Sequence, residues 1–146
     1  MINRTLIRIR VLQELFAYYH NPGKQLAEAE AQLTTSNERT HDLYLHFLTL
    51  VPTLTRFHQA RLERRRNKLL RTEEDINPNM RLANNRLAQS MEASTTLQEF
   101  IRERGLIWSD DDRLLSTLLD EILASDLYRE YVTSAPDTFA ADAKFW

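Results

Sequence analysis

The sequence predicts an all-α fold, a helical bundle built around one long, kinked central helix. Three observations carry that prediction. Glycine occurs only twice and proline four times in 146 residues, so few positions interrupt a helix. Apolar residues recur every three or four positions along nearly the whole chain, the period of one helix face. No stretch shows a sustained period-two alternation rich in β-branched residues, the mark of a half-buried strand. A chain of this length buries roughly 68–70% of its unfolded surface, so neither a disulfide nor a structural metal is needed.

The first helix is expected from about Ile2 to His20, with Ile2, Leu6, Ile9, Leu12, Phe16 and Tyr19 at helical spacing. Asn21-Pro22-Gly23 is its stop signal. A short alanine-rich helix over about 24–33 follows, and Thr34-Thr35-Ser36-Asn37 supplies breaker and N-cap chemistry for the next. That next helix, over about 38–70, is the longest. Leu43, Phe47, Leu50, Leu54 and Phe57 share one meridian, and Tyr44, Leu48, Val51, Leu62 and Leu69 a neighbouring one. Phe16, Phe47, Leu50, Leu54 and Phe57 are expected to be buried together. Pro52 removes a backbone donor and clashes with the preceding turn, at roughly 3 kcal/mol in a regular interior, so a kink is expected near residues 48–52.

Residues 73–79 form a polar connector between an N-terminal bundle, 1–72, and a second helical unit, 80–146. The charge changes sign there: residues 1–72 carry a net +6 and residues 73–146 a net −8. A basic half suggests an anionic partner, although the acidic half can satisfy it internally or across a homodimer. In the second unit, Met80, Ala83, Leu87, Met91, Ser94, Leu97 and Ile101 mark one helix ending at Gly105. Ser109 is expected to cap the next, with Asp110, Asp111 and Asp112 in its first turn. That helix presents Leu114, Leu115, Leu118, Leu119, Ile122 and Leu123 on one face, and Ser125-Asp126 opens a last segment. Ala143-Lys144-Phe145-Trp146 reads as a helix cut through its middle, so a longer parent protein is expected.

Several function classes find no support. The chain has no cysteine, which excludes thiol redox chemistry and zinc knuckles and suits a reducing compartment. No apolar run nears the roughly 20 residues that span a bilayer, and Arg4, Arg8 and Arg10 interrupt any signal-peptide core; a cytoplasmic protein is expected. His41 and His46 are five apart, off the i, i+4 spacing that aims two imidazoles at one metal, so His20, His41, His46 and His58 are expected at surfaces or interfaces. The acidic run at Ser109 lacks the glycine and distal glutamate of a calcium loop. Gly23 and Gly105 form no phosphate-cradling motif. A non-enzymatic protein without a cofactor is expected. The strongest binding candidate is the segment 61–68, in which Arg61, Arg64, Arg65 and Lys68 stand at helical spacing able to follow consecutive phosphates. Arg4 and Arg8 share a face of the first helix, with Arg10 elsewhere on it.

The stretch Arg8-Ile9-Arg10-Val11-Leu12-Gln13-Glu14-Leu15-Phe16-Ala17-Tyr18-Tyr19 resembles the opening helix of NusB proteins, in a register set by Gln13, Leu15 and Phe16. The stretches from Asn67 to Asn79 and from Ser125 to Tyr131 resemble the N-terminal region of an extended, roughly twice-length form of NusB. The resemblance implies an all-α, NusB-like bundle that binds boxA-type RNA together with the ribosomal protein called NusE. Such a protein keeps RNA polymerase elongating through ribosomal operons. The family's arginine-rich start falls on Arg4 and Arg8, and its typical C-terminal pattern is absent from this chain. Two other readings remain: a helical protein-interaction scaffold, and an accessory domain of an RNA-modifying enzyme, since NusB-like bundles also occur fused to RNA methyltransferases.

Overall fold

A computed structural model describes residues 3–105, 107, 108 and 111–146 of the chain. Every regular element among them is helical: α1 (Arg4–His20), α2 (Leu26–Arg66), α3 (Glu73–Ile76), α4 (Arg86–Glu92), α5 (Thr95–Arg104), α6 (Asp112–Ala124), α7 (Asp126–Thr133) and α8 (Phe139–Phe145). The chain divides into two compact units, Met1–Leu45 and His46–Trp146, with the division inside α2.

The first unit is a helical hairpin. Asn3 caps α1, its side chain accepting from Thr5 N at 3.1 Å; Ile2, the expected first residue, lies outside the described residues. The stop at Asn21-Pro22-Gly23 is as the sequence predicts. Asn21 donates through its side chain to Ala17 O (2.8 Å) and through its backbone to Tyr18 O, satisfying carbonyls that the ended helix leaves open. Lys24 in the connector pairs with Glu14 of α1 at 3.1 Å and donates to Gln32 of α2. The expected break at residues 34–37 is absent, and α2 runs through it. Thr34 and Thr40 turn their hydroxyls back onto Glu30 O and Ser36 O, four residues earlier. Hydroxyls bound this way no longer compete with the helix as caps, and the cluster holds neither glycine nor proline to force an end.

Packing in this unit is thin. Among its described residues only Ala29 is buried. Helix α1 turns its half-buried row of Leu6, Arg10, Glu14 and Ala17 toward α2, while Ile9, Leu12, Phe16 and Tyr19 lie exposed. The expectation that Phe16 joins a core with Phe47 is therefore corrected, since both are more than half exposed. Periodicity identifies an apolar stripe but not what covers it.

The second unit holds a true core of Leu54, Leu82, Leu115 and Leu119, all fully or nearly fully buried. Leu50, Phe57, Trp108, Ile122 and Phe145 pack around it. The C-terminal half of α2 runs unbroken through Pro52, which is itself buried. Around it Thr53 and Thr55 bond back to Thr49 O (2.7 Å) and Val51 O (3.0 Å), sharing carbonyls of the regular ladder, whereas the donor that Pro52 lacks would have served Leu48 O. The helix ends at Arg66, four residues short of the expected end, and Leu69 and Leu70 are exposed. The expected connector carries one helical turn, α3. Its N-cap Thr72 accepts from Asp75 N, and Asp75 accepts from Thr72 N, a reciprocal capping box.

The single helix expected over 80–105 is two, α4 and α5, preceded by a turn that buries Leu82 and Ala83. Asn85 caps α4 through Ala88 N, and Ser94 opens α5. Gly105 closes α5 at φ 80°, ψ 163°, the one positive φ among the described residues, and donates to Ile101 O at 2.8 Å. Of the capping run expected before α6, Ser109 and Asp110 lie outside the described residues; the observed cap is Asp111, accepting from Leu114 N at 2.9 Å. Most of the expected leucine face of α6 points inward, with Leu115 and Leu119 buried and Leu118, Ile122 and Leu123 half-buried, while Leu114 is exposed. Ser125 caps α7 and Thr138 caps α8, each through the N–H three residues on. Helix α8 packs on α4 and α7, and α7 on α6.

A buried polar knot ties these last helices together. Asn85, fully buried, donates to the Tyr131 hydroxyl and to Asp142 O, both at 3.2 Å. Tyr131 donates to Asp142 Oδ1 at 2.8 Å, and Arg86 N donates to Asp142 Oδ2 at 3.2 Å. Arg81 lies over the Tyr131 ring, 4.3 Å from its centre, and donates to Ala135 O (2.8 Å) and Pro136 O (2.6 Å) just beyond the end of α7. Burial and the Asp142 carboxylate raise the Tyr131 pKa, so the hydroxyl keeps its proton and stays a donor.

Candidate nucleic-acid interface

The basic residues singled out by the sequence fall into two sets, one in each unit. In the hairpin, Arg4 and Arg8 stand exposed on α1 with no carboxylate partner among the described residues. Arg10 is half-buried and borders a cleft of about 560 Å³ between α1 and α2, shared with Arg39 and the hydroxyl-bearing Thr35, Ser36 and Thr40. Its Nη1 reaches Gln13 at 3.4 Å, and its Nε is buried without an acceptor. Glu14, on the same cleft, is neutralised by Lys24.

In the second unit Arg61, Arg64, Arg65 and Lys68 do not act as one stripe. Arg61 pairs with Asp120 at 2.6 Å, and Arg65 with the buried Asp75 at 2.7 Å. The Thr72 backbone N–H and the Arg65 guanidinium hold the Asp75 carboxyl below its ordinary pKa, so that pair stays ionised. Arg64 lies over the Phe57 ring at 5.9 Å and touches Ala60 O, with no carboxylate. Lys68 is exposed beyond the helix end, and Arg66 and Arg71, close to it in the sequence, are exposed as well. Arg64, Arg66, Lys68 and Arg71 thus form the cluster without acidic partners among the described residues. Basic residues in the last turn also complement the carbonyl end of the helix dipole, so part of their placement is structural.

One histidine departs from the expected surface position. His58 is 3% exposed and neither ring nitrogen has a partner, because the inward face of α2 is Leu54, Thr55, His58 and Leu62. Burial, reinforced by Arg61 and Arg65, lowers its pKa to about 4. The folded protein therefore keeps His58 neutral where an unfolded chain already binds a proton. This stabilisation is complete above about pH 6.5 and is lost as pH falls toward 4, by at most about 3 kcal/mol. Urea unfolding at pH 7 and pH 5 should show the loss, and His58→Phe should flatten the pH dependence; equal slopes for the two proteins would refute this assignment.

The described residues contain no group of three metal-ligating side chains, and no described helix is long and apolar enough to cross a membrane. The arrangement offers cationic and hydroxyl groups for an anionic ligand. No family model, no curated protein and no solved structure matches the chain.

Proposed function

We propose that this chain acts by binding single-stranded RNA, as part of a NusB-type transcription antitermination factor that engages boxA-type RNA with NusE in the elongating polymerase complex. The observation that carries the reading is the cluster Arg64, Arg66, Lys68 and Arg71, whose charges meet no carboxylate among the described residues. Cations without internal partners are free to neutralise phosphates and release counterions. Exposed Arg4 and Arg8, together with the Arg10 cleft, supply further cationic positions on the hairpin, and the α1 sequence supplies the likeness to NusB. No step of the proposed activity is catalytic.

Fluorescence anisotropy with a boxA-like oligonucleotide tests the reading. Log affinity should fall linearly with log salt, with a slope of roughly −0.7 per phosphate neutralised on a single strand. Replacing Arg64, Arg66 and Lys68 by Ala should flatten that slope by about two units and weaken all sequences alike, since phosphate contacts position without specifying. Identical salt slopes for the two proteins would mean the cluster is a solvated helix end, and binding indifferent to salt would overturn the mechanism.

A further inference from the structure

We propose that α1 is a self-association helix, pairing antiparallel with α1 of a second copy of this chain. Ile9, Leu12, Phe16 and Tyr19 follow the 3-4-3 spacing of a coiled-coil seam, and they are 47%, 69%, 65% and 83% exposed. The row α1 turns toward α2 is the more polar one, Leu6, Arg10, Glu14 and Ala17. A helix that keeps its polar row for its own hairpin and presents its apolar seam outward leaves a contiguous patch of the kind that marks an interface. The hairpin, with Ala29 alone buried among its described residues, also lacks a core of its own.

The seam selects a second copy, and it selects the direction. Aliphatic residues fill its N-terminal half and aromatic residues its C-terminal half. Run antiparallel, it forms symmetric layers in which Ile9 meets the partner's Tyr19 and Leu12 meets the partner's Phe16, so each layer joins one aliphatic with one aromatic side chain. A parallel pair would stack two tyrosines and two phenylalanines at one end and leave the other end small. Charge points the same way. The first turn of α1 holds no acidic residue, and exposed Arg4 and Arg8 lie at that end. The opposite end of the hairpin carries exposed Glu28 and Glu30 at the start of α2. Antiparallel pairing sets each arginine end against the partner's helix C-terminus and its glutamates, whereas parallel pairing brings four arginines together. The two-fold relation is closed, so the assembly stops at a dimer. This inference does not depend on RNA binding.

Two measurements on the whole chain test it. Sedimentation equilibrium should give twice the chain mass, and Leu12→Lys with Phe16→Lys should return a monomer of unchanged helical circular dichroism. Because the chain has no cysteine, introduced thiols are the only ones. Under oxidation, Ile9→Cys protein mixed with Tyr19→Cys protein should cross-link, while neither variant should cross-link with itself. This second experiment keeps the proposal falsifiable even if the double lysine variant unfolds. A monomeric wild type overturns the proposal, whether or not the seam then binds lipid vesicles or another protein. Self-cross-linking of Ile9→Cys overturns the antiparallel arrangement.

Discussion

Leu54→Ala is expected to destabilise the second unit by about 2–5 kcal/mol, the range for removing a buried leucine and leaving a cavity. Leu54 is 3% exposed and sits in the core with Leu82, Leu115 and Leu119. It lies two residues after Pro52, where the helix is held by threonine hydroxyls as well as by its own ladder. Chemical denaturation followed by circular dichroism measures it. Phe47→Ala on the same helix is the contrast, since Phe47 is 54% exposed and its loss should cost less. A Leu54 variant as stable as wild type would mean that α2 does not contribute this face to the core.

Asp142→Ala should cost about 2–6 kcal/mol, the penalty for leaving two donors at the buried knot without their acceptor. The carboxylate accepts from the Tyr131 hydroxyl and from Arg86 N at the start of α4, and its side chain is 4% exposed. Its removal strands a buried phenol and a helix N–H, each costing about 1–3 kcal/mol when left unmade. Tyr131→Phe removes a donor and an acceptor together and should cost less, about 1–2 kcal/mol. Unfolding midpoints for the two variants decide the matter: a smaller loss for Asp142→Ala than for Tyr131→Phe would mean that solvent replaces the carboxylate and the knot is not closed.

Features that depend on neighbouring residues were legible in the sequence. The stop at Asn21-Pro22-Gly23, the cap at Ser125 and the inward leucines of α6 follow from a missing donor, a short polar side chain and a 3.6-residue period. Features decided by competition or by distance were not. The cluster at Thr34 to Asn37 can either cap a new helix or bond back into an existing one, and both use the same hydroxyls. Ala93 ends one helix and Ser94 opens another with little beside them to announce the break. The meridian of α2 that is buried, and the exposure of Phe16 and Phe47, depend on what packs there. In the candidate site, arginine spacing located the basic end of α2. The pairings that withdraw Arg65 and Arg61 from it reach across 10 and 59 residues. Asn85, Tyr131 and Asp142 are individually unremarked polar residues whose meeting is purely tertiary.

The constraint at Gly105 is one of handedness rather than room. No atom lies within 4 Å of where a Cβ would stand, so a side chain would meet empty space. Yet φ 80° with ψ 163° belongs to a region that residues of L configuration essentially never occupy. Reflected, the same angles are ordinary extended backbone. A D-alanine would therefore settle at this position without strain while its L enantiomer, identical in volume and polarity, would not, which makes the end of α5 sensitive to chirality alone.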